Sequence, residues 1–118
     1  MVARSFKDLI MWQKAKQLTT SVYKEMAYCK DYGFKDQIQR AAVSTMNNIA
    51  EGYGRKSDKA FKNFLNIAKG SAIEVESMLS LALELNYVSL EKHKILESKT
   101  IEVIKIITTF SKKLGTVD

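Results

Sequence analysis

Between Gln37 and Arg55, in QIQRAAVSTMNNIAEGYGR, polar residues of several chemical kinds recur at helical spacing. At about 100° per residue, Gln37, Arg40, Ser44, Asn48, Glu51 and Arg55 fall within roughly 80° of arc. A guanidinium, a hydroxyl, amides and a carboxylate on one stripe make a hydrogen-bonding surface, unlike the Lys/Glu mixtures of ordinary exposed faces. Two uses fit. In the first, Gln37, Arg40, Ser44, Asn48 and Glu51 form an interhelical network with Glu74 on the next helix. Such a network fixes helix register or subunit geometry, because buried polar groups must be paired. In the second, the stripe lines a groove or pore and meets a ligand. The structural use is preferred, since a bundle with this many inward polar residues needs a specifying device.

A second constellation follows at once. Arg55, Lys56, Lys59 and Lys62 surround the expected start of the next helix, and Lys69 lies two turns on. Cations there oppose the helix dipole, each at a cost of roughly 0.3–1 kcal/mol when exposed, so stability alone would not select them. Lys59, Lys62, Asn66 and Lys69 share one exposed face, and Tyr53 can stack a base nearby. The cluster reads as a nucleic-acid-binding face acting on backbone phosphates; a plain solvated lysine face is the competing account.

Catalytic chemistry finds little to work with. The chain has one histidine, His93, and one cysteine, Cys29. These cannot build a zinc site, nor an iron-carboxylate bundle, which needs two Glu-x-x-His pairs. His93 would have to serve any Ser/His/acid triad from a helix with no nucleophile motif. It reads as a partly exposed helix residue, and Cys29 as a small apolar filler. Gly52-Tyr53-Gly54 follows a helix rather than a strand and lacks the Gly-Lys-Ser/Thr ending of a phosphate loop, so it reads as a helix terminus. No enzymatic activity, cofactor or metal is expected.

Four helices must position these residues. The first is expected from about Asp8 to Cys29, with Met11, Trp12, Ala15, Leu18, Thr19, Val22, Tyr23 and Met26 on one side, Trp12 buried, and Ser5 and Asp8 as a capping box. Lys30-Asp31-Tyr32-Gly33 ends it, Gly33 supplying permissive backbone. The second spans about Phe34 to Tyr53. Its apolar arc (Phe34, Ile38, Ala41, Thr45 and Ile49, widened by Ala42, Val43, Met46 and Ala50) is too broad for one contact and suggests a subunit interface. Ser57 caps the third helix, which runs to about Leu85. Gly70 inside it costs about 1 kcal/mol relative to alanine and suggests close approach by a neighbour. Asn86-Tyr87 turns the chain, and Ser89 opens a fourth helix through Leu96, Val103, Ile107 and Leu114. Short connections make neighbouring helices antiparallel, so the expected fold is an all-α, up-and-down four-helix bundle occupying residues 1–118 as one domain.

Composition agrees. The 118 residues contain no proline and few glycines. A lone cysteine cannot close an internal disulfide, and no signal peptide or membrane span is evident, so a cytoplasmic setting is expected. The net charge is +6. Residues 1–62 hold 12 Lys+Arg against 6 Asp+Glu, while residues 63–118 hold 7 of each. An excess confined to one half leans toward a polyanionic partner.

RAAVSTMNNIAEGYGR, preceded by FKDLIMWQKA and followed by FLNIAKGSAIEVESMLSLALEL, resembles the bacterial four-helix-bundle protein family whose members include proteins encoded within intervening sequences of large-subunit ribosomal RNA genes. The likeness runs from Phe6 to about Tyr87; from Ser89 onward the chain matches only in being helical. It implies an up-and-down bundle that assembles as a homo-oligomer, a pentamer preferred. A more distant similarity is to the accessory variability protein of retroelements, which works with reverse transcriptase and RNA. The stripe residues match the recurring motif of the family, which supplies no agreed active site. RNA or DNA is therefore one expected partner. The alternative is a structural or adaptor oligomer that binds protein partners, its basic face incidental.

Overall fold

The computed structural model describes residues 4–115. A 3₁₀ turn at Phe6–Asp8 leads into α1 (Ile10–Glu25), followed by α2 (Tyr32–Tyr53), α3 (Asp58–Glu84) and α4 (Leu90–Lys113). No strand occurs among the described residues. Each helix packs against its two neighbours around a square, α1 on α2, α2 on α3, α3 on α4 and α4 back on α1, and the backbones of diagonal pairs stay farther apart. The body measures 45 × 24 × 24 Å. This is the all-α four-helix bundle that the periodicity and short connections imply.

Local chemistry sets the ends of the helices. Asp31 Oδ1 accepts from Phe34 N at 3.2 Å, Ser57 Oγ from Ala60 N and Ser89 Oγ from Lys92 N, both at 3.1 Å. Each satisfies an amide that the helix itself leaves without an acceptor. The third helix closes in a Schellman arrangement: Tyr87 N donates to Ala82 O at 2.8 Å and Asn86 N to Leu83 O at 3.1 Å. Asn86 takes the left-handed conformation, φ 62°.

Three expected boundaries shift, each for a local reason. The first helix is shorter than Asp8–Cys29. Ser5 caps only the 3₁₀ turn, through Lys7 N, and Asp8 accepts from Arg4 N, so no capping box forms. Leu9 is extended, at φ −77° and ψ 126°, which separates that turn from α1. Gly33 lies inside the first turn of α2, and no described glycine has a positive φ. α2 ends at Tyr53 as expected, with Gly54 as its C-cap, while Gly52 is buried within the last turn, where a Cβ would fall 2.8 Å from Phe64 Cβ and 2.9 Å from Phe61 Cδ1. The close approach expected at Gly70 therefore belongs to Gly52. Around Gly70 nothing lies within 4 Å of an added Cβ.

The core is a mixture of branched side chains and alanines. Leu18, Ile38, Ile49, Leu65, Leu79 and Val103 are fully buried beside Ala15, Ala42, Ala68, Ala72 and Ala82. Thr19 Oγ1 lies 2.8 Å from Ala15 O and 3.0 Å from Ala42 O, so the hydroxyl has acceptors on its own helix and across the α1–α2 seam. The broad apolar arc of α2 serves two flanking helices: Met46 packs against the core, and Tyr32 is the only large hydrophobic of α2 left exposed. Trp12 is half-buried at the rim, its ring edge-on to Phe6 at 5.0 Å, rather than enclosed between helices. His93 is buried, where the sequence suggested partial exposure, because it points inward one turn into α4.

Candidate nucleic-acid interface

The α2 stripe faces the α2–α3 seam along one edge, and its members separate into three groups. Near the start of α2, Gln37 Nε2 donates to Glu74 Oε2 at 3.2 Å. At mid-helix the Ser44 and Ser71 hydroxyls meet at 2.8 Å, and Asn48 Nδ2 donates to Ser44 O at 2.8 Å and to its Oγ at 3.0 Å. Toward the end, Arg55 Nη2 donates to Glu51 Oε2 at 2.9 Å. As numbers rise along α2, the α3 partners fall from Glu74 to Ser71 to Phe64 and Phe61, which is the antiparallel register.

Arg40 stands apart from these. Its Nε donates to Asp36 Oδ2 at 2.8 Å, one turn back on the same helix, and the two side chains are 79% and 64% exposed. The expected pairing of Arg40 with Glu51 or Glu74 does not form. Small residues, Ser44, Ser71 and Gly52, occupy the seam itself, so the long charged side chains lie outside it in water. The stripe is thus a hydroxyl and amide contact at its centre with surface ion pairs at its ends.

The basic cluster is drawn together by the turn between α2 and α3. The Arg55 guanidinium lies 4.9 Å from the centroid of the Phe64 ring, a cation–π placement that the Glu51 bond shares. Lys56 and Lys59 are exposed, while Lys62 and Lys69 are half-buried against the adjoining helix. Tyr53 packs edge-on to Phe61 at 6.3 Å, so its ring is engaged with the bundle end.

Lys62 and Lys69 line a notch between α3 and α4 of about 160 Å³, completed by Asn66, Thr108, Ser111 and Lys112. Lys112 did not stand out in the sequence, since the second half of the chain is neutral overall. Antiparallel packing puts the end of α4 beside the start of α3, and Gly115 N donates to Asp58 Oδ2 at 2.9 Å to fasten the two. The readable signal was the pair Lys112-Lys113 in the last turn of the fourth helix, which up-and-down topology returns to the cluster. Among the described residues no carboxylate pairs with Lys56, Lys59, Lys62, Lys69 or Lys112. Unneutralised ammonium groups from two helices around a narrow notch suit the oxygens of an anion such as a phosphate.

Elsewhere, Cys29 is half-buried with Sγ 3.8 Å from Asp31 O. His93 Nε2 is buried and has no hydrogen-bond partner among the described residues. No cluster of three or more His, Cys, Asp or Glu side chains that could hold a metal occurs among them. No described helix is long and apolar enough to cross a membrane. Among the described residues one carboxylate is perturbed: Tyr87 Oη donates to Asp31 Oδ2 at 2.6 Å. That bond, with a second from Phe34 N, holds Asp31 below the usual carboxylate range and raises the Tyr87 phenol.

The sequence profile of a family described as 23S rRNA-intervening sequence protein matches residues 7–109. Among solved structures, the chain is similar to a protein from Bacteroides thetaiotaomicron, described as of unknown function and from the S23 ribosomal protein family. The two share 26% identity and superpose with a TM-score of 0.83, over 88% of this chain and 100% of the other. No curated protein matches the sequence.

Proposed function

This chain belongs to the 23S rRNA-intervening sequence protein family, and from that premise we propose a non-enzymatic, oligomeric bundle that associates with RNA or other nucleic acid through the basic end shared by α3 and α4. The observation that carries this reading is the convergence of Lys62, Lys69 and Lys112, from two helices, on one notch without a carboxylate partner. At about 160 Å³ the notch suits phosphate oxygens better than a whole nucleotide. Contacts of that kind fix position and carry no sequence information, so binding is weakly selective.

Salt dependence tests it. The logarithm of affinity for single-stranded RNA should fall with log salt by about 0.7 for each phosphate neutralised. Replacing Lys59, Lys62, Lys69 and Lys112 together by Gln should flatten that slope and leave the helical circular dichroism unchanged. Binding that is absent at low salt, or that keeps its slope in the variant, refutes the reading.

Assembly is the second part of the proposal. Ile67, Ile73 and Leu81 on α3 and Leu85 at its C-cap are 53%, 47%, 47% and 44% exposed, and Gly70 lies open among them. This stripe supports α3, in place of the α2 face read from the sequence, as the surface that meets a second copy, with a pentamer preferred on the family resemblance. Closed rings form when head-to-tail contacts of this kind return on themselves. Repeated basic ends around one ring then raise avidity for a single strand without new contacts. Light scattering that returns a 13.4 kDa monomer at micromolar concentration overturns the assembly. The same α3 stripe favours the adaptor reading if nucleic acid fails to bind, with a protein partner seated on it.

A further inference from the structure

A groove of about 450 Å³ runs between α1 and α4. Its volume falls within the roughly 300–1,000 Å³ typical of small-molecule sites. Trp12 supplies an aromatic wall, and Lys16 and Lys99 supply charge from the two opposed helices. Lys16 Nζ stands 5.5 Å from the centroid of the Trp12 ring. No carboxylate lines the groove, and neither lysine has an ion-pair partner among the described residues. Glu102 on α4 pairs instead with Lys14 at 3.6 Å.

The remaining polar groups divide into spent and available. Gln13 Nε2 donates to Lys7 O at 2.8 Å, and Thr20 Oγ1 to Lys16 O at 3.0 Å. Gln17 and Ser21 line the same wall with an amide and a hydroxyl that no described residue engages. The Trp12 indole N–H is itself buried and meets no acceptor among the described residues. A flat aromatic surface, two unneutralised ammonium groups and an amide with both donor and acceptor ask for a ligand with three matching parts. A purely apolar ligand would strand the lysines, and a simple inorganic anion would leave the indole unused.

We propose that the α1–α4 groove binds a nucleotide, its base against Trp12 and Gln17 and its phosphate between Lys16 and Lys99. A free mononucleotide and the 5′-phosphorylated end of a strand present this same chemistry. The groove shares no lining residue with the basic notch, and Lys99 and Lys112 stand roughly 20 Å apart along α4 at 1.5 Å per residue.

Trp12 is the only tryptophan of the chain, so its emission reports on this groove alone. Titration of the full chain with AMP should quench it saturably, with adenosine at least tenfold weaker for want of the phosphate. Lys16→Gln and Lys99→Gln should each weaken binding severalfold, and the four-lysine change at the basic end should leave it unaltered. If only a 5′-phosphorylated oligonucleotide quenches, the source is a strand end, and the nucleotide chemistry stands. The proposal is overturned if neither probe gives saturable quenching or calorimetric heat up to millimolar concentration, or if adenosine binds as well as AMP. It is equally overturned if inorganic phosphate or an acidic peptide competes on equal terms, or if both lysine variants bind like the parent. Because the basic-end lysines are varied separately, loss of RNA association and loss of nucleotide binding are read independently.

Discussion

Two glycine-to-alanine changes in adjacent helices should act in opposite directions. At Gly52 the added carbon would sit 2.8 Å from Phe64 Cβ, an atom fixed to the α3 backbone that cannot rotate away. Ordinary carbon–carbon contacts are roughly 3.5–4.0 Å, so α2 and α3 must part by roughly 0.7–1.2 Å. The Phe61 ring, 2.9 Å away, can yield more easily, but it is buried and packs on Phe110 at 5.5 Å. Overpacking of this kind costs about 1–3 kcal/mol, and the rigid Cβ contact argues for the upper end. Alanine recovers about 1 kcal/mol of helix propensity, leaving a net loss of about 1–2 kcal/mol for Gly52→Ala. Gly70→Ala meets nothing within 4 Å and keeps the propensity gain, so it should stabilise by up to about 1 kcal/mol. Urea titration followed by circular dichroism measures both. With a slope near 2 kcal/mol per molar, the two midpoints should differ by about 0.5–1.5 M. A Gly52→Ala protein as stable as the parent would refute the tight α2–α3 contact. A destabilised Gly70→Ala would show that the second copy proposed for this face comes too close to Gly70 to leave room for a methyl group.

Arg40→Ala should change stability by less than about 1 kcal/mol, because its ion pair with Asp36 is exposed; a loss above 2 kcal/mol in urea titration would mean that the stripe is buried in the assembled protein. Ser44→Ala and Ser71→Ala should each cost about 1 kcal/mol and together cost less than the sum, since either change breaks the same 2.8 Å contact. Additive losses would show that the two hydroxyls act separately. For pH, the folded Asp31 pKa is lowered, chiefly by the Tyr87 hydroxyl. Its contribution to stability is therefore full above the usual aspartate range and fades as pH falls through the lowered value. The Tyr87 pKa is raised by the same bond, so that contribution fades only as pH climbs through the raised phenol value. Tyr87→Phe should flatten both limbs of the stability–pH curve, and an unchanged curve would sink the linkage.

The helices were legible because each carries a strong period and all but α1 have a serine or aspartate at their start; Ser57 and Ser89 cap where the pattern places them. Gly33, Gly52 and Gly70 show where the pattern falls short. A glycine in a sequence announces backbone freedom or close approach without saying which, and the answer depends on which residue of another helix lies opposite. The stripe shows a similar gap. Periodicity puts Arg40 and Ser44 on one arc, yet a few tens of degrees separate a seam hydroxyl from an arginine in water. Lys112 was overlooked for another reason: charge counted along the chain cannot see that the last turn of α4 lies beside the first of α3, which only the expected topology brings out. The α1–α4 groove escaped notice because Trp12 and Lys99 are far apart in sequence and each is ordinary alone.

The basic notch is assembled from segments some fifty residues apart, and that separation couples its charge to folding. Lys62 and Lys69 approach Lys112 only once α4 has docked, so their mutual repulsion is felt by the native bundle and largely absent from the unfolded chain. Moderate salt, by screening that repulsion, should tighten the last turn of α4 while it weakens the exposed pairs Arg40–Asp36 and Arg55–Glu51. A multivalent anion such as pyrophosphate should do so at far lower concentration, since whatever binds only the docked state raises its stability by mass action. The end of α4 thereby becomes the part of the bundle whose amide-exchange protection is set by the anions around it.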